Sequence, residues 1–293
     1  MNHAEALATL ADLQEQAKAA VAAGDVAAGE QVLLTAIWMK LEPETPSSRA
    51  LGRAFSALPV ELATLVRPEA VIGGLNRAGH AFQHAPDAQF GDFIAVLYHM
   101  VLAHERARDS AKLGEAITQI VQLAGTYVGK VDGQSALVLM HFADWCRTTW
   151  QYLPMQTLQA QVLRYMLADE HLSDDTRAAW LSRHADAMRE AGQADTLRAD
   201  LDRAEAIFAA RDDAPLSLGL CQFERSRRLA AEGDWRGSAL LVDSALAAAG
   251  LPSHEQTTLL SLAARAWFKA GDFERSAERS KRALRRRVGL AAS

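Results

Sequence analysis

Two of the nine histidines stand four residues apart in the segment His80-Ala81-Phe82-Gln83-His84. On a helix that spacing puts both imidazoles on one face. His99, His104 and Glu105 lie on the next helical segment, which should run back antiparallel. Imidazoles with a nearby carboxylate suit zinc or iron. Against a metal site, the chain has no His-Glu-x-x-His motif, and these helices lack the Glu-x-x-His pattern of di-iron bundles. His84 also lies just before Pro86, where a helix frays, and the helix dipole alone favours a histidine there. One reading is therefore a helical enzyme with a histidine-containing, metal-dependent site in residues 68–150.

Other constellations have simpler accounts. His141 and Trp145 share a helix face, and Cys146 follows them. A Cys–His nucleophile needs spatial contact between the two groups, and a free cysteine is most often a buried structural residue. Gly73-Gly74 has neither a strand before it nor a Gly-Lys after it, so it reads as a close helix crossing or a break rather than a phosphate loop. Asp174-Asp175 and Asp212-Asp213 fall where helices begin, so capping and the helix dipole explain them. Ser253 to Gln256 fits a capping box. No catalytic or cofactor-binding motif stands out.

The elements that must position these residues are helices throughout. Of the 293 residues, 49% are hydrophobic and only 6% aromatic, and no stretch alternates in the manner of a strand. Glycine and proline sit mostly between periodic segments, which predicts helices over 3–23, then to about 41, over 48–57 and 59–66 separated at Pro59, then 68–84 and on to about 108. Further helices are expected over 110–128, 134–151, 154–169, 174–191, 194–211, 215–232, 235–249, 254–270 and 273–287. Short turns make neighbours antiparallel, and a long string of such hairpins buries its surface best by stacking.

The net charge of −5 argues against a surface that binds nucleic acid everywhere. Residues 272–293 are nonetheless basic, with Arg275, Arg279, Lys281, Arg282, Arg285, Arg286 and Arg287 against three acids. That tail supports a weaker reading as a nucleic-acid-binding solenoid, although cations at a helix C-terminus have a plain electrostatic cause. The two cysteines form no disulfide or zinc pattern, and no signal peptide or membrane span is apparent. A cytoplasmic protein is the expectation, and the preference for Arg over Lys hints at a bacterial source.

The C-terminal part repeats itself. Leu262 to Trp267, then Gly271-Asp272-Phe273, Ser276 and Ala283-Leu284 match Gly233-Asp234-Trp235, Ser238 and Ala245-Leu246. Gly192-Gln193-Ala194 and Gly24-Asp25-Val26 are weaker copies. This pattern resembles the tetratricopeptide repeat, a helical hairpin closed by a glycine, capped by an aspartate and packed through small residues. Spacings of 38 and 41 residues exceed the usual 34, and residues 45–130 hold no clear copy.

The resemblance implies an all-α, right-handed α-solenoid of antiparallel hairpins with a less regular central section. Its parts would be a hairpin at 1–44, an irregular stretch at 45–130 and repeats over 131–293. It also implies a peptide groove lined by the first helix of each hairpin. Those positions map to Phe223 and Arg227, then to Ser261, Arg265 and Phe268 with Lys269 beside them. Guanidinium groups beside aromatic faces suit a segment carrying carboxylates. The leading expectation is a non-enzymatic scaffold for a protein or peptide segment: an adaptor, an assembly or secretion chaperone, or a peptide-responsive regulator.

Overall fold

The computed structural model describes residues 1–126, 131–247 and 253–288, the last stretch with side chains from residue 256. Among these residues the chain is all-α, with helices packed as successive hairpins. It divides into two compact units, Met1–Tyr165 and Met166–Ser293. The helices are α1 (His3–Ala23), α2 (Val26–Ile37), α3 (Arg49–Glu61), α4 (Pro68–Gln83), α5 (Phe90–Ala107), α6 (Ser110–Thr126) and α7 (Gly133–Thr148). They continue as α8 (Tyr152–Ala168), α9 (Asp174–Glu190), α10 (Ala194–Phe208), α11 (Pro215–Ala231), α12 (Trp235–Ala247), α13 (Ser253–Lys269) and α14 (Phe273–Arg287). In unit 1 the first helix of each hairpin packs on the first of the next, α1 on α3, α3 on α5 and α5 on α7; in unit 2, α9 packs on α11. That stacking is solenoid-like. Among the described residues no helix is long and apolar enough to cross a membrane. The capping box read at Ser253 rests on side chains outside those described.

One backbone turn closes hairpin after hairpin. Gly24, Gly192, Gly233 and Gly271 all have positive φ, between 65° and 88°. In each case the glycine N–H donates to the carbonyl three residues back, and the next N–H to the carbonyl five back, as Gly271 to Phe268 and Asp272 to Trp267. This is the Schellman arrangement, and glycine takes it without a Cβ penalty. Asp25, Asp234 and Asp272 then accept from the backbone three residues on and start the second helix.

The same turn recurs without glycine. Arg108 (φ 56°) and Trp150 (φ 63°) make both bonds in the same pattern. Trp150 lies 42 residues after Arg108, and Gly192 lies 42 after Trp150. Arg108 lies 84 residues, two such intervals, beyond Gly24, and the position between them falls in the α3–α4 turn. Residues 45–130 therefore contain one such turn, at Arg108, without its glycine. The helix expected to run from 134 to 151 stops at Thr148 for this turn.

Trp150 keeps 78% of its surface exposed, so burial does little to offset its left-handed backbone. Relieving that strain outweighs the extra chain entropy of glycine, so Trp150→Gly should raise stability by about 0.5–1 kcal/mol. Urea unfolding measures this, and a clear loss of stability would contradict it.

Proline and glycine shape the core of unit 1. Sequence punctuation placed a break at Pro59, but α3 runs through it to Glu61. Pro59 sits in the last turn, where it removes a single backbone bond, and it is buried against Gly74 of α4. A Cβ at Gly74 would lie 3.1 Å from Pro59 Cβ, so the glycine is where the two helices approach, not a break. Gly52 is tighter still, since a Cβ there would lie 2.5 Å from the buried ring of Phe82. Gly114 of α6 has nothing within 4 Å. Gly114→Ala should therefore stabilise by about 0.5–1 kcal/mol through helix propensity. Gly52→Ala should destabilise by about 1–2 kcal/mol, because overpacking outweighs that gain. Equal shifts in the two urea midpoints would refute the packing argument.

The acidic pairs do more than cap their own helices. Ser173 caps α9, while Asp174 reaches across to accept from the N–H groups of Leu216 and Ser217 at the start of α11. Asp213 accepts from Arg211 and from Arg177, whose side chain is fully buried and also holds the carbonyls of Asp169 and Glu170. These contacts clasp successive hairpins of unit 2 together.

Candidate functional site

A groove of 280 Å³ lies in unit 2 between α11, α12 and α13. α11 presents Phe223, Arg227 and Ala230 to it, at steps of four and three that keep them on one face. The Gly233 turn folds α12 back, so that Trp235, Ser238 and Val242 form the floor. α13 closes the far side with Leu262, Arg265 and Ala266. Small residues at 230, 238 and 266 leave the space, and half-buried aromatics at 223 and 235 flank it.

The groove is electropositive. Arg227 lies 5.9 Å from the centre of the Phe223 ring and 3.3 Å from Glu224. Glu224 is buried and also paired with Arg189, so it neutralises only part of the charge that faces it. Arg265 is exposed and has no ion-pair partner among the described residues. An aromatic wall, an aromatic floor and two guanidinium groups can hold a chain that carries carboxylates, because a guanidinium can bind a carboxylate through two parallel bonds.

Of the six expected groove residues, Phe223, Arg227 and Arg265 line one cavity, and Ser261, Phe268 and Lys269 do not. At about 100° per residue, Leu262 and Ala266 lie on one side of Arg265 around α13, and Ser261 and Phe268 on the other. Lys269 faces the right way but sits one turn beyond the groove. Phe268 instead meets the Phe273 ring edge-on at 5.4 Å, 56% exposed, while its neighbour Trp267 is the buried aromatic. Trp235 was missed as a lining residue. Its place right after Gly233-Asp234, at the start of the second helix, is the signal that points to it.

The histidines do not assemble. His80 and His84 lie in contact, with ring centres 4.6 Å apart and ring planes tilted by 56°. Glu105 accepts the indole N–H of Trp145 at 2.9 Å. His104 is buried, and burial lowers the pKa of His99 below the usual histidine value. Among the described residues no group of three or more His, Cys, Asp or Glu side chains is placed to hold a metal ion. Both cysteines are free and buried; burial pushes the Cys146 thiol up to about 12 and also raises that of Cys221. Neither is a ready nucleophile at neutral pH.

Part of the basic tail is structural. Arg279 bonds both carboxylate oxygens of Asp243, at 2.7 and 3.1 Å. Arg275 lies over the Trp267 ring at 4.5 Å. Lys281 and Arg282, Arg285, Arg286 and Arg287 follow in the last two turns of α14, where they complement its dipole.

No family model matches the chain, and no curated protein matches it. Among solved structures it is similar to one described as the crystal structure of BtubC (BKLC) from P. vanneervenii. The identity is 10% over 99% of this chain and 96% of that chain, with a TM-score of 0.35.

Proposed function

We propose that the chain is a non-enzymatic, tetratricopeptide-like scaffold whose α11–α13 groove holds an extended protein segment carrying carboxylates. The observation that carries this reading is the convergence of Arg227 and Arg265, the latter without an ion-pair partner among the described residues, on one groove walled by Phe223 and floored by Trp235. The glycine-closed hairpins of α11–α12 and α13–α14, each with its aspartate cap, support the finer likeness to tetratricopeptide repeats. Two buried free thiols fit a reducing, cytoplasmic setting.

Charge reversal tests it. Arg227→Glu with Arg265→Glu turns attraction into repulsion and should cost at least about 3 kcal/mol, over a hundredfold in affinity. Both side chains are exposed and Glu224 keeps its pair with Arg189, so the circular dichroism spectrum should stay that of the folded protein, with a modest fall in melting point from the new carboxylate beside Glu224. Affinity capture followed by mass spectrometry identifies the partner that wild type retains. Undiminished capture of that partner by the double variant would rule the groove out.

A further inference from the structure

Unit 1 contains a larger cavity of different chemistry. A cleft of 700 Å³ opens between α4, α5 and α6, within the range of ligand-binding sites. Phe90, Phe93, Leu97 and Met100 line it along α5, and Leu123 faces them from α6. Its rim is polar: Asn76, His80 and Gln83 stand on α4 and Gln119 on α6, all exposed. None of the thirteen described lining residues is Asp, Glu, Lys or Arg, although 23% of the chain is charged and about three would be expected.

Two physical features select the occupant. An ionised group seated here would be desolvated with no Asp, Glu, Lys or Arg facing it among the described lining residues, so a neutral occupant is favoured. The lining on α5 runs from Phe90 to Met100, ten helical steps or about 15 Å, which matches four or five residues of extended chain at about 3.3 Å each. Asn76 and Gln83 lie two turns apart on α4, with Gln119 on α6. Each amide offers both an acceptor and a donor, the complement of the C=O and N–H of a peptide group. We propose that this cleft binds an extended, uncharged, apolar segment of a partner protein. The amides of Asn76, Gln83 and Gln119 take its main chain, and the α5 floor takes its side chains. The site shares no residue with the arginine groove, so either can fail without the other.

The bait for the test is the full chain carrying Arg227→Glu and Arg265→Glu, which disables the groove of unit 2. It is panned against a phage-displayed library of random peptides. Enriched sequences should contain a short run free of Asp, Glu, Lys and Arg and rich in Leu, Phe or Val. An acetylated, amidated, fluorescein-labelled peptide of that sequence should bind about three- to tenfold more weakly to Gln83→Ala and to Gln119→Ala, the loss expected for one hydrogen bond. Met100→Lys, which puts a charge in the floor, should weaken it more than about tenfold. The two glutamines are exposed, so they decide the matter even if Met100→Lys unfolds. Enrichment of acidic or basic sequences, no enrichment, or unchanged affinity in the glutamine variants would each overturn the proposal. Nile red bound in the cleft should be displaced by the enriched peptide; dye that stays bound at saturating peptide would also overturn the proposal.

Discussion

Replacing Asp92 by alanine should lower the stability of the protein by about 2–3 kcal/mol, because the cap of α5 and two charge-assisted hydrogen bonds are lost while the guanidinium groups left behind still reach solvent. Asp92 is 4% exposed. It accepts from Arg49 Nε at 2.6 Å, from Arg53 Nε at 2.9 Å and from the N–H of Gln89 at 2.9 Å. One carboxylate thus caps α5 and ties it to α3. Burial raises its pKa, but the Gln89 N–H and the two guanidinium groups together hold it below the ordinary aspartate value. With the folded pKa depressed, its contribution is complete above the unfolded value of about 3.9 and is lost as the pH falls through the folded value. Asp92→Asn keeps an acceptor for Gln89 but discards the charge. The gap in urea midpoint between wild type and Asp92→Asn should therefore be wide at pH 7 and narrow as the solution is acidified below pH 4. A gap that does not change with pH would show that shape, not charge, is what Asp92 supplies.

Trp267→Ala should cost about 3–5 kcal/mol, the range for removing a buried large aromatic. Trp267 is 1% exposed and packs with Ala239, Ala266 and Ala270, while its indole N–H donates to Asp243 at 3.0 Å. Asp243 is also held by Arg279, so α12, α13 and α14 meet at one carboxylate. Trp267→Phe should be far milder, about 1–2 kcal/mol, since the ring volume largely remains and Asp243 keeps its guanidinium. In a double-mutant cycle, Trp267→Phe with Asp243→Ala should lose less than the sum of the single changes, because the two share a bond. Strict additivity would mean that the indole hydrogen bond contributes nothing. Ala266, next to Trp267, lines the proposed groove, so Trp267→Ala should impair partner capture along with stability. The arginine variants should separate the two effects.

Much of the helical order was legible in the sequence. The first and last helices begin and end where the punctuation places them, at His3–Ala23 and Phe273–Arg287. The four glycines of the repeat pattern are the four described glycines with positive φ. Residues 45–130 look irregular because Arg108 carries no signature for the turn it makes. The two hydrogen bonds that define the turn belong to the backbone, and glycine is only the least costly residue there. A cost of about 1 kcal/mol is easily outweighed by packing the two helices, so the turn persists where its marker is lost. Pro59 misleads for the converse reason, since one lost bond near a helix end is offset by its fit against Gly74.

The candidate site divides in the same way. Helical periodicity alone puts Phe223 and Arg227 on one face of α11. Which residues of α13 join them depends on how that helix is rotated, and that was decided by burying Trp267 rather than Phe268. The sequence by itself determined the helices, the glycine-marked turns and the basic character of one groove wall, because each rests on residues within a turn or two of one another. Only the tertiary structure decided that Asp92 meets Arg49 and Arg53, that Asp174 caps α11, and that an uncharged cleft opens over α5. Those partners lie about forty positions apart, one hairpin repeat, and helix stacking chooses them through packing that no local pattern records.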